Sequence, residues 1–294
     1  MKQALIKLHL SVIIASFTGI FGKLIALHEG LLVWYRLLIT SVVFFMVLWI
    51  TKRFRRIGGK ELLKIMGVGC ILSAHWFFFY GSIKASNVAI GVVCFSLTGF
   101  FTAILEPIIN RHRFSVKELL FSVIGVLGIL LIFHFDTRYR LGITLGAISS
   151  TLAAIFIICN KHVTANRPAT SVLFYEIIGG LVFVSLLLPV YIYFFPPEKL
   201  IPDVYDWTYL FLLATICTVG LYILQIQALR FVSPFTVNLT YNLEPVYSII
   251  LAMILFSEAK ELDLSFYVGL GLIIFSVFLQ MWSITRKKER TVMS

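Results

Sequence analysis

The feature that most constrains this chain is a succession of ten apolar stretches, each near the ~20 residues an α-helix needs to cross a bilayer. They run over residues 4–24, 31–51, 62–83, 88–108, 116–135, 142–160, 171–194, 207–228, 234–256 and 265–284. The connections are short, so no soluble domain is inserted between them. The pattern predicts an all-α integral membrane protein of ten transmembrane helices. Composition agrees: 60% of residues are hydrophobic and 13% charged, with a mean hydropathy of +0.96, against roughly 45–50% and about 25% for a soluble domain. The first stretch lacks a small-residue cleavage site and reads as a retained helix rather than a signal peptide.

The net charge of +11 does not point to nucleic acid, because the basic residues lie in short clusters between apolar runs and form no aromatic-interleaved face. They set orientation instead. With the N-terminus in the cytoplasm, eighteen Lys and Arg fall on the inner side and six on the outer, with Arg36 inside a span. That bias predicts cytoplasmic N- and C-termini in a multi-pass cell (inner) membrane protein. The four cysteines, Cys70, Cys94, Cys159 and Cys217, all lie within apolar runs without CxxC spacing and read as packing residues rather than as metal ligands or disulfide partners.

An internal repeat is visible. "SIKASNVAIGVVCFSLTGFFTAIL" (82–105) aligns without gaps on "ALRFVSPFTVNLTYNLEPVYSIIL" (228–251) at an offset of 146 residues, pairing Lys84 with Arg230, Ser96 with Asn242, Thr98 with Glu244 and Gly99 with Pro245. "VWYRLL" (33–38) aligns on "LFYEII" (173–178) at an offset of 140, pairing Arg36 with Glu176. The predicted organisation is two five-helix repeats, 1–137 and 138–294. Because five is odd, the second enters the membrane inverted, a plan that lets two halves exchange conformations for alternating access.

Ten helices in two fives, with "ALRF" (228–231), Pro245 within the ninth apolar stretch and "SE" (257–258) at its exit, resemble the EamA-type branch of the drug/metabolite transporter superfamily. The resemblance spans essentially the whole chain. It implies the inverted-repeat fold and a secondary transporter, mostly an exporter, of small metabolites such as amino acids or of drugs, with no cofactor. Two positions depart from the family pattern: Gly99 stands where the matching proline is expected, and "SE" replaces "GE".

The residues suited to chemistry are the polar groups at membrane depth. Glu244 lies about ten residues into its span, ~15 Å deep at 1.5 Å per residue. A carboxylate there is costly and normally faces an interior cavity. Pro245 beside it breaks the helical ladder and Gly99 weakens the matching helix, so both mark helix breaks. Ser96, Thr98, Tyr241, Asn242 and Glu244 are expected to line a central cavity where the two broken helices cross. Glu244 would bind a proton or the amine of a zwitterionic substrate, and Arg36 an anionic group near the outer side. Glu176 lies too far from Arg36 along the membrane normal for a salt bridge, so the two are expected as substrate contacts on opposite sides of one cavity. Each has a blander reading: a structural carboxylate for Glu244, a snorkelling side chain for Arg36. His75 and Trp76 are further substrate-contact candidates, although a lone histidine in an apolar helix is most often packed and satisfied.

An ATP-driven pump is disfavoured because no GxxxxGK[ST] motif occurs, and an intramembrane enzyme because HExxH, GxSxG and metal-ligand spacing are all missing. A non-transporting receptor or scaffold gives no purpose to an inverted repeat with charge at mid-membrane.

Overall fold

The structure is a computed structural model that describes residues 2–111, 113–135, 137–165, 167–229, 231, 240–241, 243–256 and 263–293. Among them the fold is all α, without a strand. The helices are α1 (Lys2–Leu24), α2 (Glu29–Ile50), α3 (Gly59–Ala85), α4 (Val88–Phe95), α5 (Thr98–Asn110), α6 (Val116–Phe135), α7 (Arg140–Thr164), α8 (Ala169–Phe194), α9 (Val204–Ala214), α10 (Leu221–Leu229), α11 (Glu244–Phe256) and α12 (Leu264–Met293).

Among the described residues, seven helical stretches are long and apolar enough to cross a bilayer: Gln3–Leu24, Glu29–Ile50, Gly59–Ala85, Val88–Asn110, Thr137–Thr164, Ala169–Phe194 and Val204–Gln225. Leu119–Ile132, Glu244–Phe256 and Leu264–Ser276 are shorter apolar helices.

Two of the apolar stretches are interrupted, one of them beside Gly99, where a break is expected from sequence. The 88–108 run is divided into α4 and α5. Ser96 Oγ donates to Val93 O at 2.6 Å and Thr98 Oγ1 to Phe95 O at 2.7 Å. Such hydroxyls compete with backbone amides for the carbonyls of the preceding turn, and Gly99 offers little to hold the ladder together. The backbone tightens accordingly, with Leu97 N donating to Cys94 O at 3.0 Å, three residues back. The 207–228 run is interrupted by a π-helical segment, Thr215–Gly220, between α9 and α10.

Local sequence explains the helix ends. Asn87 caps α4 by accepting from Ile90 N at 2.9 Å. Asp203 and Asp206 form a reciprocal capping box at the start of α9. α3 is the central helix, packed on α2, α7 and α8, while α6 and α12 pair with each other. The α3–α8 crossing is close because Gly69 and Gly179 carry no Cβ: one at Gly69 would collide with the Glu176 backbone, and one at Gly179 with that of Met66.

Candidate functional site

Arg36 lies two turns into α2 and is 3% exposed. Its Nη1 donates to Tyr80 Oη of α3 at 2.6 Å, and its Nε and Nη2 donate to Thr218 Oγ1 at 3.3 and 3.0 Å. The guanidinium carbon stands 3.7 Å from the centroid of the Trp76 ring. Every one of these partners is neutral. Of the five N–H donors a guanidinium carries, three are engaged, and among the described residues no carboxylate pairs with it. Thr40, one turn further along the same face of α2, is fully buried and its hydroxyl has no partner among the described residues.

The π-helical segment places Thr218. Its hydroxyl donates to Leu213 O at 2.9 Å, five residues back, which leaves the oxygen lone pairs turned to Arg36. Single-turn π segments inside α-helices recur at functional sites. Here the extra residue per turn aims a hydroxyl at a buried cation.

Glu176 occupies the same position in α8 that Arg36 has in α2, seven residues after the helix begins. It is 0% exposed. Asn160 Nδ2 donates to its Oε2 at 3.4 Å, and among the described residues its Oε1 has no partner. Tyr222 lies close enough to interact with it electrostatically. Glu176 sits where α8 crosses α3 at Gly69. Gly69 and Trp76 are seven residues apart on α3, about 10 Å of helix rise, so the buried carboxylate and the buried guanidinium occupy different levels.

Glu244 opens α11, with Pro245 in its first turn, where the missing N–H removes no helical bond. Glu244 is half-buried, and no described side chain hydrogen-bonds its carboxylate. On one side of it Tyr241 Oη donates to Ser11 Oγ at 3.1 Å; on the other Ser248 Oγ donates to Ser16 O at 3.1 Å. Both contacts tie this part of the chain to α1. Asn242 lies outside the described residues.

The other candidates are satisfied locally. His75 Nδ1 lies 2.8 Å from Ser149 Oγ, while Ser149 Oγ also donates to His75 O at 3.1 Å. Its ring stacks on Phe95 at 5.4 Å. Ser96 and Thr98 spend their hydroxyls on their own helix. Trp76 reaches the cluster through its contact with Arg36 rather than standing apart.

Polar ties lace the end of the bundle formed by the 25–28 and 195–203 connections. Lys84 Nζ donates to Ile25 O at 2.9 Å, and Ala26 N to Asp206 Oδ1 at 2.7 Å. Lys199 pairs with Asp203 at 2.8 Å and Asp206 at 2.5 Å. Tyr191 Oη donates to Glu29 Oε1 at 2.6 Å. Lys199 holds the Asp203 carboxyl below the usual carboxylate range, and the two carboxylates hold the Lys199 ammonium above the usual lysine value.

The profile of the EamA-like transporter family matches twice, over residues 2–134 and 140–282. The chain belongs to the EamA-like transporter family. An uncharacterized transporter of Bacillus subtilis (strain 168), YxxF, is 22% identical over 300 residues, covering 99% of this chain and 93% of its own length. A solved crystal structure at 16% identity covers 95% of this chain and 98% of its own, with a TM-score of 0.62; that likeness concerns the fold.

Within this EamA-like chain, Tyr80, Thr218, Thr40 and Asn160 are the site residues that sequence reasoning missed. Tyr80 had a signal, since it stands one turn from Trp76 on the same face of α3. The pairing of Thr218 with Arg36 spans 182 residues and leaves no local pattern.

Proposed function

We propose that this EamA-like protein is a secondary transporter, and an exporter, of a small organic metabolite such as an amino acid. It would work by alternating access of two inverted five-helix repeats, 1–137 and 138–294, with ten spans and both termini in the cytoplasm. The family assignment speaks for transport rather than catalysis. The double profile match and the paired helix starts of α2 and α8 support the duplication, and the eighteen-to-six basic bias supports the orientation.

The observation that carries the reading is Arg36. A guanidinium buried among neutral partners, with two N–H groups unspent, is suited to take a carboxylate or another anionic group in two parallel hydrogen bonds. Glu244, without a hydrogen-bonding partner among the described residues, would take a proton or the substrate amine. Glu176 is the corresponding polar group of the other half. Alternating access would then require the laced 25–28 and 195–203 end to open.

The test is solute flux into liposomes containing only this protein, against a panel of amino acids and related zwitterions. Saturable uptake of a carboxylate-bearing solute, lost in Arg36→Gln, is the expected result. Transport confined to solutes without an anionic group would overturn the assignment of Arg36.

A further inference from the structure

The connection between α2 and α3 together with the first residues of α3, "TKRFRRIGGK", carries Lys52, Arg53, Arg55, Arg56 and Lys60. Among the described residues none of these five has a carboxylate partner. Glu61, next in sequence, is taken by Lys64 at 3.0 Å and Arg167 at 2.7 Å. Orientation alone requires only that such charges exist. It does not require them to be held in place, and here the loop is built.

α2 ends in a Schellman motif. Lys52 N donates to Trp49 O at 3.0 Å and Arg53 N to Leu48 O at 2.9 Å, with Lys52 in the left-handed region at φ 54°. The chain is thereby turned back onto the bundle. Phe54 packs edge-on against Phe45 and Phe174, each at 5.7 Å between centroids, and against Tyr175 at 6.3 Å. Ile57 N donates to Tyr175 Oη at 3.4 Å. Between this anchored loop and α2 lies a groove of about 540 Å³, walled by Phe45, Trp49, Phe54, Ile57 and Tyr175 and bearing the charge of Arg56. Trp49 is 70% exposed, and on a helix that crosses a bilayer that exposure faces lipid.

The groove lies where the C-terminal end of α2 and the start of α3 meet their connection and Tyr175 of α8, the level at which helices of membrane-crossing length meet the headgroups. It joins an apolar, aromatic wall to Arg56 and lies beside the other loop cations, none of which has a carboxylate partner among the described residues. Basic pockets of this kind between spans are suited to acidic headgroups, and aromatic rings to the interfacial layer. A soluble anion would have no use for the wall, and a zwitterionic lipid no use for five uncompensated charges.

We propose that this groove binds an anionic phospholipid, its phosphate held by Arg56 and the neighbouring loop cations and the start of one acyl chain laid against Trp49, Phe45 and Phe54. The site depends on the protein spanning a membrane and is independent of what it transports.

Native mass spectrometry of the full-length protein, titrated with phosphatidylglycerol, with phosphatidylcholine of the same chains, and with inorganic phosphate, tests this. Phosphatidylglycerol should be retained as a discrete adduct at activation energies that strip phosphatidylcholine. Arg53→Gln and Arg56→Gln should each weaken it by roughly fivefold, and Trp49→Ala should weaken it with the charges intact. Lys117→Gln, in the first turn of α6, should leave it unchanged. Equal retention of the two lipids by the wild-type protein would overturn the proposal without any substitution. So would wild-type phosphatidylglycerol binding in Trp49→Ala, which would mean diffuse surface attraction, or full competition by inorganic phosphate, which would mean a site for soluble anions. An equal effect of Lys117→Gln would also overturn it.

Discussion

Thr98 and Glu244 hold the same place in two helices of the same length. Each is the first residue of a 13-residue helix, Thr98–Asn110 and Glu244–Phe256, and 146 residues separate them. Among the described residues, two of the backbone bonds leading in correspond. Leu97 N donates to Cys94 O at 3.0 Å where Leu243 N donates to Thr240 O at 3.1 Å, and Phe101 N donates to Leu97 O where Tyr247 N donates to Leu243 O. One interruption is accompanied by proline and the other by glycine with two back-bonding hydroxyls. The same break reached by different chemistry argues that the break itself is what both halves need.

Gly99→Pro should therefore be tolerated. The position lies in the first turn of α5, where a missing N–H costs no helical bond, and the proline removes freedom from the unfolded chain, worth about 0.4–1 kcal/mol at a compatible site. The thermal midpoint in detergent should be unchanged or raised slightly. A fall of many degrees would mean that α5 does not begin as α11 does.

Gly69→Ala should behave oppositely. The added methyl meets the backbone of Glu176, which cannot rotate away, so α3 and α8 must separate. Overpacking of this kind costs about 1–3 kcal/mol. A lowered thermal midpoint is expected, while Gly67→Ala on the same helix, with nothing near its Cβ, should match the wild type.

These two glycines show what was legible in the sequence. Apolar run lengths located the helices, and the offset alignment put Gly99 opposite Pro245, because both signals are local or repeat along the chain. Sequence marks a break at Gly99, whereas the division falls just before Thr98, at a place that depends on where two hydroxyls point. The surroundings of Arg36 were less legible still. Trp76 was singled out for its depth, but Thr218 is brought in by a π-helical segment within "TICTVG", which no propensity scale marks, and by a contact between remote helices. For His75 the sequence favours a packed, satisfied ring, but it cannot name the partner, Ser149, which is 74 residues away.

Thr218→Val tests that contact. The near-isosteric change keeps the volume and removes the acceptor for Arg36 Nε and Nη2, leaving two more buried donors unmet. Hydrogen bonds to charged groups are worth about 1.5–3 kcal/mol, so substrate affinity should fall by roughly 10- to 150-fold. Thr218→Ser should restore it. Equal losses in both variants would point to packing of the π-helical segment rather than to its hydroxyl.

The tie at the 195–203 connection should be indifferent to pH near neutrality. Asp203 is depressed by Lys199, so its contribution is present above the ordinary carboxylate value and lost only as pH falls through the lower folded value. Lys199 is raised by its two carboxylates, so its contribution is full below the ordinary lysine value and lost only as pH rises past the higher folded one. Between about pH 5 and 9 neither group changes charge. A cysteine placed at Leu200 should react with an impermeant thiol reagent at a rate, normalised to free cysteine, that stays flat across that range. A change near neutrality would show that another group controls this end.

The remaining question is what Glu244 binds, and Glu244→Gln separates the two answers. Glutamine keeps the shape and some hydrogen-bonding capacity but can neither carry a negative charge nor pick up a proton. A carboxylate that carries protons must be emptied and refilled in each driven cycle, whereas exchange of substrate for substrate needs no net proton movement. If Glu244 is the proton carrier, the variant should exchange labelled for unlabelled substrate normally and lose accumulation driven by a pH gradient. If it holds the substrate amine, exchange itself should fall, by about the 10- to 150-fold expected for one charge-assisted hydrogen bond, and a substrate analogue without the amine should be affected less. The measurement is paired: counterflow exchange and gradient-driven uptake in the same liposome preparation. Wild-type behaviour in both would make Glu244 a structural residue of the α11 start, and the polar transport path would then have to be carried by Arg36 and Glu176.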